Sequence, residues 1–139
     1  MSHYYEDLTV GQSETSSRTV TAHDLQLFGE ATGDMNPVHF DEAYAKATVF
    51  RGIVAHGVLS IGFISAVLGM QLPGPGTIFL STSCTFKGPV RIGDTVVTIC
   101  TVKEIREARN VLMQCSCQVG DKVVVEAEVL VLAPKRPRS

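Results

Sequence analysis

The run from Val58 to Met70 constrains this chain more than any other stretch. Val58, Leu59, Ile61, Phe63, Ile64, Ala66, Val67 and Leu68 reach every side of a helix drawn over about 56–69 and leave almost no polar face. A helix that is apolar all round must be covered all round. The run is shorter than the roughly 20 residues a membrane span needs, and Ser60, Gly62, Ser65 and Gly69 interrupt it. Protein must therefore bury it. Leu72-Pro73-Gly74-Pro75-Gly76 then breaks the chain, and the hydrophobic period changes from helical to extended.

The chain beyond the break supplies the cover. Residues 77–87, 95–106, 111–119 and 123–132 read as strands. Val123, Val125, Ala127, Val129 and Val131 mark the last as half-buried by alternating with Glu126 and Glu128. Short turns at 107–110 and 120–122 make the final three an antiparallel meander. The simplest burial is an antiparallel sheet wrapped around the helix, an α+β architecture in one domain over 1–139. A single sheet layer covers one side of a helix. Either small helices at 22–32 and 42–47 or a second copy of the chain must cover the rest, which argues for a homodimer.

Upstream, residues 1–14 read as an irregular arm and 15–20 as an edge strand. Thr21-Ala22-His23-Asp24 has the form of a capping box, and Leu25, Phe28 and Thr32 follow at helical spacing, with Gly33 placed to end the helix. His23 reads as a surface histidine. Asp41 is a candidate cap for the short second helix. At the far end, 133–139 forms a basic tail with Lys135, Arg136 and Arg138, which reads as solvated.

Composition removes several classes of function. A net charge of -2 over 139 residues predicts no nucleic-acid partner. The N-terminus has neither a positive n-region nor an apolar h-region, so no signal peptide is expected there and the cytoplasm is the expected location. The four cysteines, Cys84, Cys100, Cys115 and Cys117, form no Cys-x-x-Cys pair and have no histidine near them in sequence. Buried free thiols are expected, and no metal site.

The chemistry concentrates in Asp34-Met35-Asn36-Pro37-Val38-His39 and in His56-Gly57. Asp34 and His39, five positions apart, cannot share a helix face, and Pro37 turns Asn36 away from helical dihedrals. A turn would bring an acid, an amide and an imidazole toward one point, which is equipment for acid–base work. Singly, Asp34 could be a turn carboxylate, Asn36 a pre-proline turn residue and His39 a packed polar residue. Gly57 opens the apolar helix, whose first N–H groups are free to hold developing negative charge. His56 could cap or pack there. Ser60 and Ser65 could each bond a carbonyl one turn back or aim a hydroxyl at a site.

The segment Phe28 to Asp41, carrying Asp34-x-Asn36-Pro37-x-His39, closely resembles the hydratase-2 motif of MaoC-like (R)-specific enoyl-CoA hydratases. The resemblance continues through Phe50, Ile53-Val54-Ala55-His56-Gly57, Leu68-Gly69, Leu72-Pro73-Gly74, Phe86 and Pro89-Val90-x-x-Gly93-Asp94, and covers about residues 20–132. It implies a hot-dog fold, a dimer, and reversible hydration of trans-2-enoyl-CoA to (R)-3-hydroxyacyl-CoA. It also implies that Asp34 and His39 are the acid–base pair and that the Gly57 N–H binds the thioester oxygen. Ser65 and Asn36 would support the site, and Phe50 and His56 would touch substrate. No cofactor is implied, since CoA belongs to the substrate. Lys87 and Arg91 are open to two readings, contact with CoA phosphates or plain surface solvation. Two other functions fit the same residues: a 3-hydroxyacyl-thioester dehydratase acting on acyl carrier protein, and a non-catalytic acyl-CoA-binding hot-dog protein.

Overall fold

The computed structural model describes residues 3–138. Five strands and three α-helices follow one another as β1 (Ser13–Thr19), α1 (Ala22–Thr32), α2 (Glu42–Lys46), α3 (Gly57–Met70), β2 (Ile78–Phe86), β3 (Thr95–Ile105), β4 (Asn110–Val119) and β5 (Lys122–Leu132). The strands form one sheet in the order β1-β3-β4-β5-β2, and all neighbours are antiparallel. The expected meander is β3-β4-β5. The expected edge strand is β1, which begins at Ser13 and so takes in the last two residues of the expected arm.

Alternation in the central strands builds the core. Val96, Thr98, Cys100 and Val102 of β3, Val111, Met113, Cys115 and Cys117 of β4, and Val125, Ala127, Val129 and Val131 of β5 are all buried. They face Ser60, Ile64, Val67 and Leu68 of α3. The cysteines are free thiols as expected. A hydrogen bond from Cys115 and burial push the Cys100 thiol up, and burial does the same to Cys117. Both behave as small apolar fillers.

The helix α3 differs from the expectation in one respect. Its sequence is apolar all round, yet only one face is buried: Val58, Gly62, Ser65, Ala66 and Met70 are exposed. The sheet wraps one side only, and α1 and α2 do not close the other. Strand β2 is likewise exposed along nearly its whole length, including Ile78, Phe79 and Leu80.

The basic tail is exposed over 135–138 as expected, but the described ends of the chain also fasten to each other. A 3-10 turn at Tyr5–Asp7 sets Leu8 into the core. The Tyr5 amide donates to Pro134 O at 2.7 Å, the Arg136 amide donates to Glu6 Oε1 at 3.0 Å, and the Arg136 guanidinium pairs with Asp7. The acidic Glu6-Asp7 pair opposite a basic tail accounts for this closure, and no local pattern in either segment signals it.

Candidate active site

Helix α1 delivers the site turn. Thr21 caps it in a full box with Asp24, as the sequence predicts. It ends at Gly33, which adopts φ 81°, a left-handed value that glycine takes without strain. The chain then doubles back over Gly29. A Cβ at Gly29 would lie 2.7 Å from Met35 Sδ, 2.9 Å from Phe40 Cζ and 3.2 Å from the Asp34 carbonyl oxygen. The turn can pass this close only because position 29 has no side chain.

Short hydrogen-bonded steps fix the turn itself. The Asp34 amide donates to Thr32 Oγ1 at 3.1 Å, the Asn36 amide to Asp34 Oδ1 at 3.2 Å, and the Val38 amide to Asn36 Oδ1 at 3.3 Å. Asn36 thereby caps a 3-10 turn over Pro37–His39, with Pro37 in its first position.

His39 Nδ1 lies 2.7 Å from the Val54 carbonyl oxygen. A carbonyl only accepts, so Nδ1 carries the proton and Nε2 is the nitrogen left for chemistry. His56 stacks on His39, with ring centroids 3.8 Å apart and planes 28° from parallel. It is 2% exposed, with Phe28 at 4.6 Å and Phe40 at 5.6 Å centroid to centroid. Its Nε2 is 3.0 Å from the backbone carbonyl oxygen of Asp34, and its Nδ1 is buried without a partner among the described residues.

Asp34, His39 and His56 each bring one oxygen or nitrogen to within 4.8 Å of the others. Those atoms could in principle ligate a metal.

A cavity of about 470 Å³ opens beside the pair. Phe50, Val54, Phe86 and Val125 give it apolar walls, and Asn36, His39, His56, Gly57 and Ser60 supply its polar lining. Asp34 is exposed and is not among the lining residues; a carboxylate oxygen of it lies within 4.8 Å of a nitrogen of each lining histidine, His39 and His56. Gly57 is the first residue of α3, so its N–H lies outside the helical hydrogen-bond ladder. A Cβ there would come within 3.1 Å of the Phe86 ring, so glycine keeps this amide approachable.

The remaining candidates divide. Phe50 and His56 line the cavity and Ser65 does not. Ser65 points outward on the open face of α3, while Ser60 is buried beneath the cavity. Lys87 lines the cavity and pairs with Glu126 at 2.9 Å. The Arg91 guanidinium is engaged with backbone, donating to Phe50 O at 2.6 Å. Sequence reasoning missed the parts played by Gly29 and by the aromatic wall of Phe28 and Phe40. All three lie within or beside the motif, but nothing in their spacing shows what they touch.

A curled antiparallel sheet packed on one central helix, with the polar cluster at that helix's N-terminus, is a hot-dog fold. The unliganded R-hydratase PhaJ1 from Pseudomonas aeruginosa has the same architecture. It superposes with a TM-score of 0.92 at 39% identity, over 97% of this chain and 88% of that one. The chain belongs to the MaoC-like domain family, whose model matches residues 9–128. The (R)-specific enoyl-CoA hydratase of Rhodospirillum rubrum is 48% identical over 135 residues, covering 96% of this chain and 94% of the relative. The 3-hydroxybutyryl-CoA dehydratase of Methylorubrum extorquens is 46% identical over 134 residues, covering 96% and 85%.

Proposed function

We propose that this protein is an enoyl-CoA hydro-lyase that adds water to trans-2-enoyl-CoA to give (R)-3-hydroxyacyl-CoA, and reverses the reaction. The observation that carries the reading is an Asp34 carboxylate held within 4.8 Å of a nitrogen of His39, a half-buried histidine that lines an apolar cavity and whose Nδ1 is committed to the Val54 carbonyl. The names of the two relatives from Rhodospirillum rubrum and Methylorubrum extorquens agree with it.

The chemistry follows from the groups present. C3 of an enoyl thioester is electrophilic because the carbonyl accepts charge. The attacking water loses a proton as C3–O forms, and C2 gains one. Asp34 and His39 hold the water between them and pass both protons on one face, giving syn addition. Negative charge grows on the thioester oxygen, and the Gly57 N–H at the positive end of α3 stabilises it. Phe50, which lines the cavity, packs against the acyl chain. This route needs no resident cofactor or metal, and CoA enters and leaves as part of the substrate.

The active species is a homodimer in the cytoplasm. The outward face of α3 and the exposed β2 are apolar surfaces of the kind a second copy covers. No helix among the described residues is long and apolar enough to cross a membrane.

Purified protein mixed with crotonyl-CoA, with enoyl absorbance and product chirality followed and molar mass measured on the same sample, tests the reading. The expected result is (R)-alcohol from a dimer. Asp34→Asn and His39→Gln should each lose on the order of 10²–10⁴ in rate while keeping the wild-type fold. A folded wild type that is inert on CoA esters but active on the acyl-carrier-protein thioester would move the substrate class. Inertness on both would leave only thioester binding.

A further inference from the structure

We propose that His56 is a positioning residue that holds Asp34 and His39 in register with each other. The inference rests on the hydratase reading of the same site. Two contacts carry it. The imidazole Nε2 of His56 is 3.0 Å from the Asp34 carbonyl oxygen, so it donates its proton there. The ring face of His56 stacks on His39 at 3.8 Å. One side chain therefore touches both members of the proton-transfer pair, at the backbone of one and the ring of the other.

The cost of this arrangement is visible in the structure. His56 is 2% exposed, is enclosed by Phe28 and Phe40, and leaves Nδ1 buried with no partner among the described residues. A phenylalanine or methionine would fill the same space without stranding a polar atom. Only a side chain with a donor at the Nε2 position also ties down the Asp34 carbonyl. His56 lies at the N-cap of α3 but makes no side-chain capping bond there, so helix capping does not explain its presence.

Two substitutions separate its contacts. His56→Gln keeps an amide donor near the Nε2 position and loses the ring, and His56→Phe keeps the ring and loses the donor. His56→Phe should lower kcat by roughly tenfold to a hundredfold, the cost of a small misplacement of a reacting group, with KM nearly unchanged and the melting temperature kept. His56→Gln should recover part of that loss. In an Asp34→Asn background His56→Phe should cost little more, because the group it positions is already gone. A full multiplicative loss there, or wild-type kcat in His56→Phe, would overturn the proposal while leaving the hydratase reading intact.

A second readout does not need activity. In 15N-labelled wild type, the long-range imidazole 1H–15N spectrum should show a proton on Nε2 of His56 and one on Nδ1 of His39. A His56 found as the Nδ1–H tautomer, which has no proton on Nε2 to give the Asp34 carbonyl, overturns the proposal even if no thioester is turned over.

Discussion

The site turn and the central sheet are built on opposite terms. Strands β3, β4 and β5 hold each other through long ladders, each broken by a single register shift (at Val102/Glu104 and at Cys117/Gln118), and bury about one residue in two, with Met113, Val129 and Val102 fully shielded from solvent. The turn from Gly33 to His39 is exposed over most of its length. It is held by single hydrogen bonds from amide to side chain, by two histidine contacts with backbone carbonyls and by isolated backbone bonds such as Met35 N–H to Gly33 O and His39 N–H to Asn36 O, with no ladder. The sheet draws its stability from buried area, whereas the turn contributes placement. Stability and activity should therefore separate when each region is changed alone.

The largest stability effect belongs to the sheet. Met113→Ala empties a position that is fully buried on β4 and lies away from the cavity wall. It should cost about 2–5 kcal/mol, read by urea unfolding, with kcat per folded molecule unchanged. A fall in kcat to match would show that the sheet's packing reaches the site and would break the comparison. In the turn the ordering reverses. Gly29→Ala places a methyl against Met35, Phe40 and the Asp34 carbonyl, so the turn must move away from α1. We expect kcat to fall by roughly tenfold to a hundredfold, with a smaller loss of stability than Met113→Ala gives. Unaltered kinetics would mean the turn tolerates displacement and that its placement is looser than the contacts suggest.

The same contrast explains what was legible in the sequence. Helix α1, the meander and the ending at Gly33 follow from period, caps and turn residues, which are local signals. The gathering of Asp34 and His39 on one turn was legible because Asn36-Pro37 lies between them. The exposure of Val58, Ser65 and Met70 was not legible, because an apolar helix carries no mark of which face its own sheet will cover. The stacking of His56 on His39 was also hidden. It joins the turn to the start of α3 across a separation of 17 residues in sequence. It depends on Phe28, Phe40 and Gly29 packing in space, and composition encodes none of that. The closure of the termini through Arg136 and Asp7 was missed for the same reason, since it links the two ends of the chain.

Helix α1 joins the two regions, and its first turn offers the finest test of their independence. Asp24 accepts from Arg18 of β1 at 2.7 Å and from the Thr21 amide at 2.9 Å, which fastens the start of α1 to the sheet edge. Burial alone would raise its pKa, but the Thr21 amide, the Arg18 guanidinium and the Thr21 hydroxyl outweigh that and hold the carboxyl below the ordinary 3.8. A carboxyl depressed in the folded state stabilises the fold fully above its unfolded value. The contribution is lost as pH falls through the folded value. Wild type should therefore exceed Asp24→Asn in stability by about 1 kcal/mol near neutrality. The gap should hold down to about pH 5 and close below about pH 4. A gap that widens in acid would reverse the assigned direction. The site turn lies at the other end of α1, so kcat should be the same in both proteins at neutral pH. If it is not, the anchoring of α1 to β1 sets the placement of Asp34, and the turn is positioned by the sheet after all.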